Sequence, residues 1–186
     1  MIVLAVIAMW LLLAFWQGLV DLPGDLKDWL PDLRPPEISV PSGPLKGTVD
    51  RIVIDKSDRM LIAVQDGKPA RVYTVALGKS PEGDKQRQGD GRTPEGIYHV
   101  DRRNDRSQFH LSLGIDYPKP DERARAKAAG IDPGGDIFIH GQPNGRVAPG
   151  YRITTDWTDG CVALSDGEIE ELFAATPVGT EVEIRP

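Results

Sequence analysis

From Thr48 onward, apolar residues come in short runs of strand length, cut by polar turns. "RIVID" (51–55) and "MLIAVQ" (60–65) are β-branched and aliphatic runs on either side of the turn "KSDR". "DGK" then leads into "ARVYTVALG" (70–78), which completes a three-strand meander. "GIYHVDRR" (96–103) and "FHLSLGIDYP" (109–118) predict two further strands. "DIFIH" (136–140) reads as a buried strand ending on His140, and "GTEVEIRP" (179–186) closes the chain as another. Two stretches break this pattern. "PDERARAKAAG" (120–130) predicts a short helix with Asp121 at its start and Gly130 as its stop. "SDGEIEELFAA" (165–175) predicts a second, with Ser165 and Glu168 at the spacing of a capping box. Strands dominate, and there is no internal repeat. The segment 79–94, "KSPEGDKQRQGDGRTP", is polar, rich in glycine and too long for a tight hairpin, a length often associated with function.

The first 47 residues follow other rules. Residues 1–20, "MIVLAVIAMWLLLAFWQGLV", carry no charge. As a helix rising ~1.5 Å per residue they reach ~30 Å, one hydrocarbon thickness. Neither a basic region before the run nor a small-residue cleavage site after it is present, so an uncleaved transmembrane anchor is expected rather than a signal peptide. Residues 21–47 are rich in proline and glycine and broken by charges, the composition of an extended spacer. Lys27 and Arg34 follow the span and none precedes it, which by charge alone points the rest of the chain to the cytoplasm. The remaining stretch, 48–186, is the expected folded domain.

Composition narrows the function. The net charge of −6 lies entirely beyond residue 20, and no basic run with interleaved aromatics offsets it, so nucleic-acid binding is not expected. One cysteine allows no intramolecular disulfide, and the absence of clustered Cys and His argues against a structural zinc site or any metal centre. Cys161 lies in "DWTDGCVAL" (156–164), behind Gly160 and a few residues ahead of a capped helix. A lone cysteine is most often a small buried hydrophobe. A thiol becomes a nucleophile when an imidazole or a helix N-terminus assists its ionisation, and His140, at the end of its strand, is the candidate. His99 and His110 sit in strand patterns and read as structural. The Gly160 and Cys161 amides are candidate oxyanion donors. Gly160 permits close approach of a substrate, and Thr158 is placed to bond within the turn or to substrate.

"IFIHG" (137–141), followed after the seventeen residues Gly141 to Trp157 by "TDGCVAL", resembles the L,D-transpeptidase (YkuD-like) catalytic domain. That family's pattern is a histidine, a spacer, then Ser/Thr-His-Gly-Cys. "GDGRTPEGIY" (89–98) and "LSLGIDYP" (111–118) resemble two further stretches of it, in the family's order, so the likeness covers about 48–186. The resemblance implies a mainly β fold, a mixed sandwich or barrel with short helices. It also implies Cys161 as nucleophile, His140 as general base and acid, and the Gly141 carbonyl as the group that orients the imidazole. Asp159 stands where the family has its motif histidine, and Ala163 where Asn or Arg is common; both departures bear on the donor pocket rather than on the dyad. Asp159 adds negative charge beside the thiol, and Arg92, Arg146 and Arg152 are candidates to offset it or to bind a substrate carboxylate.

The implied reaction is acyl transfer on peptidoglycan stem peptides through a thioester, without metal or cofactor. Alternatives are a wall amide hydrolase or carboxypeptidase using the same dyad, and a membrane-tethered wall-binding module with an incidental thiol. Because that substrate lies outside the cytoplasmic membrane, the domain is expected on the periplasmic or cell-wall side of a single-pass anchor, against the charge of Lys27 and Arg34.

Overall fold

The structure, a computed structural model, describes residues 43–145 and 155–186. The expected anchor at 1–20, and the linker up to residue 42, lie outside the described residues. Among the described residues no helix is long and apolar enough to cross a membrane.

The apolar runs become strands β1 (Arg51–Asp55), β2 (Met60–Gln65), β3 (Lys68–Thr74), β4 (Gly96–Ser107) and β5 (His110–Ile115). Helix α1 (Pro120–Ala129), β6 (Phe138–His140), β7 (Val162–Ala163), helix α2 (Asp166–Ala175) and β8 (Glu181–Arg185) follow. They form one mixed sheet in the order β3-β2-β1-β8-β4-β5-β6-β7, in which β1/β8 and β6/β7 are parallel. The long β4 serves two neighbours: Gly96 to His99 pair with β8, and Val100 to Ser107 pair with β5. Two register shifts in the β5 pairing, at Val100/Arg102 and Asn104/Ser107, bend the strand. The chain just past β3 then meets the far edge, bridging Ala76 to Ala163 and Gly78 to Thr158. The sheet thus curls until its two ends touch.

Alternation decides which side is dry. Ile52, Ile54, Leu61, Ala63, Tyr98, Val100, Leu113, Ile115, Ile139, Val182 and Ile184 are all buried in one core. Helix α2, packed on β5, adds Ile169 and Leu172 at helical spacing. Each such side chain contributes roughly 1.5–3 kcal/mol by leaving water. The Glu168 carboxylate accepts the Ser165 N–H (3.0 Å) and hydroxyl (2.6 Å), which fixes the helix start that the sequence spacing predicts. Helix α1 begins one residue before Asp121, with the Glu122 carboxylate accepting the Lys119 N–H, and stops at Gly130 in the left-handed region (φ 67°). Tyr98 donates its hydroxyl proton to the buried Glu122 at 2.6 Å, tying α1 to β4.

Candidate active site

Pairing of β6 with β7 builds the site. Ile139 lies opposite Val162 and His140 opposite Ala163. One step back along both strands Phe138 meets Cys161, and its N–H donates to Cys161 Sγ at 3.4 Å. Side chains alternate along a strand, so Ile139 and Val162 enter the core together while Cys161 and His140 share the other face, diagonal neighbours across the pair. The thiol also reaches the Asp136 carbonyl at 3.5 Å.

His140 is buried, with Nδ1 2.7 Å from the Gly141 carbonyl. A carbonyl only accepts, so Nδ1 carries the proton and Nε2 holds the lone pair. The ring packs against Phe109 (centroids 4.5 Å apart) and Trp157 (5.7 Å). The Phe109 carbonyl in turn accepts the Gly141 N–H at 3.1 Å, which pins the β4–β5 turn to the base of the histidine. Neither aromatic residue is marked by type: Phe109 opens a run that reads as an ordinary strand, and Trp157 lies in the cysteine motif without a role of its own. Burial pushes the imidazole below its ordinary value of 6.5, against a smaller upward pull from its bond to Gly141. Burial likewise pushes the Cys161 thiol above its ordinary 9.0. The Phe138 N–H draws it down, Asp159 pushes it up, Lys85 draws it down and Asp136 pushes it up, in decreasing order. The resting pair is therefore neutral thiol and neutral imidazole.

The turn before Cys161 is stitched to its surroundings. Thr158 donates its hydroxyl to the Cys161 carbonyl (2.7 Å) and accepts the Gly160 N–H (3.1 Å), so it acts within the turn. The Gly160 amide, a candidate oxyanion donor by sequence, is thus bonded inside the turn, and the Cys161 amide is the remaining donor of that pair. Asp156 accepts the Leu77 N–H at 2.9 Å and pairs with Arg59 at 3.0 Å. Gly160 holds φ at +133°, and a Cβ there would lie 2.6 Å from the Arg92 carbonyl. Asp159 is exposed and pairs with Lys79 at 2.6 Å.

Of the three candidate arginines, Arg92 brings its backbone to Gly160 but turns its guanidinium to the Asp84 carbonyl (3.2 Å). Short backbone reach, rather than charge, is what that residue gives the site. Arg146 and Arg152 lie outside the described residues. Among the described residues the cation that draws the thiol's pKa down is Lys85, unmarked in sequence because it is one of several charged residues in the 79–94 segment. That segment is heavily bonded rather than open: the Asp90 carboxylate takes four donors, Gly78 donates to Thr93 Oγ1 and Ser80 to the Gly91 carbonyl.

A free thiol and a buried histidine whose Nδ1 is bonded to the next carbonyl, diagonal neighbours on parallel strands of the mixed sheet, form a candidate cysteine–histidine site. The chain belongs to the YkuD family, the L,D-transpeptidase catalytic domain, whose sequence profile matches residues 49–184. It is 29% identical over 137 residues to the Bacillus subtilis (strain 168) protein named "Putative L,D-transpeptidase YqjB", covering 72% of this chain and 69% of that one. Among solved structures it is similar to the helical cell shape determining protein Pgp2 of Campylobacter jejuni, at 25% identity and a TM-score of 0.57. That likeness covers 75% of this chain and 48% of Pgp2, so this chain spans about half the length of that relative. A further likeness, to an L,D-transpeptidase of Xylanimonas cellulosilytica DSM 15894 (21% identity, TM-score 0.50, 76% of this chain and 63% of that one), concerns the fold.

Proposed function

We propose that this protein is a cysteine-dependent L,D-transpeptidase that acts on peptidoglycan stem peptides in cell-wall biogenesis. The observation that carries this reading is the bond from His140 Nδ1 to the Gly141 carbonyl, which leaves Nε2 unprotonated on the face that carries Cys161. Nε2 takes the thiol proton as Sγ attacks the carbonyl of the third residue, a diamino acid, of a tetrapeptide donor. The C–N bond to the terminal D-alanine breaks, Nε2 returns the proton to the departing amine, and a thioester remains on Cys161. A second amine attacks it, loses a proton to Nε2, and restores the thiol. A side-chain amine of another stem gives a cross-link, a lipoprotein lysine gives attachment, and water gives a carboxypeptidase. The Phe138 N–H, directed at Sγ, favours the thiolate as it forms. The likeness to a protein named for determining helical cell shape supports a role in wall architecture.

The substrate also sets the topology. Residues 1–20 anchor the chain in the cytoplasmic membrane, with the domain on the wall side; a reporter fused after Pro186 is expected to work only outside the cytoplasm. The decisive experiment incubates the protein with tetrapeptide muropeptides, with and without an acceptor amine, and follows products and intact protein mass. Loss of D-alanine with amine-dependent cross-links supports the reading. Loss without cross-links assigns water as the acceptor. No product, and no mass adduct on Cys161 with a carbapenem, favours a wall-binding module.

A further inference from the structure

Among the described residues, the charged or titratable groups around the Cys161 thiol are Asp159 on its own turn, Asp136 ahead of β6, His140 on β6, and Lys85 from the 79–94 segment. The two carboxylates have partners of their own, Asp159 with Lys79 at 2.6 Å and Asp136 with Arg102 at 2.9 Å, and all four of these side chains are substantially exposed. Lys85 is different, with its side chain 3% exposed. Its counter-ion Asp90, at 2.8 Å, is shared: Oδ1 also accepts the Arg92 N–H, and Oδ2 accepts the N–H groups of Gln86 and Arg87. A carboxylate divided among four donors leaves the ammonium incompletely compensated. The ammonium also lies close to Gly160: a Cβ built on that glycine would be 3.5 Å from Nζ. Buried charges also escape the salt screening that weakens exposed ones.

We propose that Lys85 is a positioning residue of the Cys161 centre, its buried ammonium fixed by Asp90 and seated on Gly160 so that it stabilises the thiolate as the proton leaves for His140. The inference rests on Cys161 being the nucleophile. It gives the 79–94 segment an electrostatic task at the site, and it supplies the positive charge that the Asp159 substitution calls for.

The test is alkylation of Cys161 by iodoacetamide, read by intact mass across pH, in the full chain and in Lys85→Met, Lys85→Gln and Lys85→Arg, with circular dichroism to establish folding. The neutral variants are expected to shift the alkylation profile to higher pH and to slow the reaction at pH 7 by about tenfold, the thiolate fraction equivalent to one pKa unit. Lys85→Arg is expected to restore most of that rate. Folded neutral variants that react like the unmodified protein overturn the proposal. So does failure of both neutral variants to fold, which assigns Lys85 to the scaffold. A thiol in the unmodified protein that is inert across the whole range removes the nucleophile itself, and so distinguishes failure of the proposed function from failure of this inference alone.

Discussion

Two regions of the sheet are held together by different means. Around β1, five consecutive residue pairs join it to β2 and five more to β8, and the inward positions are filled by Ile52, Ile54, Leu61, Val182 and Ile184. Around β6 and β7 the parallel ladder is only two pairs long. There, polar side chains bond backbone instead: Asp156 to Leu77, Thr158 to Cys161 and Gly160, Asp166 to Gln142, and the Gln142 amide to the Leu164 carbonyl. The first region is a product of hydrophobic period. The second replaces ladder with discrete hydrogen bonds, which leaves a thiol and an imidazole at the sheet edge without a longer strand running over them.

That contrast predicts that the two regions respond differently to mutation, one in stability and the other in activity. The largest effect belongs to Cys161→Ala: turnover of tetrapeptide falls by more than about 10³-fold, while the thermal midpoint barely moves, because a half-buried side chain is lost from an edge. A matching loss of stability would break the distinction. Ile54→Ala in the regular region is expected to lower unfolding free energy by about 2–5 kcal/mol in denaturant titration, with kcat/KM of the folded fraction unchanged. Thr158→Val sharpens the picture, since it removes the acceptor of the buried Gly160 N–H. About 1–3 kcal/mol of stability should go, together with some activity, as the Cys161 turn loosens.

The smallest effect is in pH. Because burial depresses the His140 pKa, the acid limb of kcat/KM should fall below the ordinary imidazole value of 6.5, and a limb at or above it would contradict the neutral pair. Stability follows the same sign. In the window below 6.5 and above the folded value the unfolded chain binds more protons, so His140's contribution is complete above 6.5 and lost as pH falls through that window.

Much of the scaffold was readable without coordinates. The runs that became β1, β2, β5, β6 and β8, and both helices, announced themselves by length, β-branching and end signals, since those properties are local. β4 runs on past "GIYHVDRR" to Ser107 because its far half is an exposed, charged ribbon whose strand state depends on pairing with β5. β7 exists only through pairing with β6 across the segment between them, and the bridges at Ala76 and Gly78 only through contacts with a segment about eighty residues further on, so no short window of sequence contains them. The same reasoning separates the site residues. Cys161 and His140 stood out through the family-like motifs around them, since a lone cysteine by itself reads as packing, and the fold adds that the two share one face of the β6–β7 pair. Lys85 was not, because what distinguishes it from its charged neighbours is burial, a property the fold confers. Arg92 drew attention by its charge, yet it is the carbonyl of that residue that approaches the cysteine turn.

The contact of Gly78, Gly91 and Gly160 has a consequence for inheritance. A methyl group on Gly78 would collide with the Gly91 carbonyl and crowd the Gly160 Cα, and one on Gly160 would meet the Arg92 carbonyl. Three distant stretches of chain are thereby joined at points where no side chain is tolerated on either Gly78 or Gly160. The turn that carries Cys161, the strand extension beneath it and the loop carrying Lys85 must therefore change together or not at all. Grafting the cysteine motif alone into another sheet would leave the other two behind.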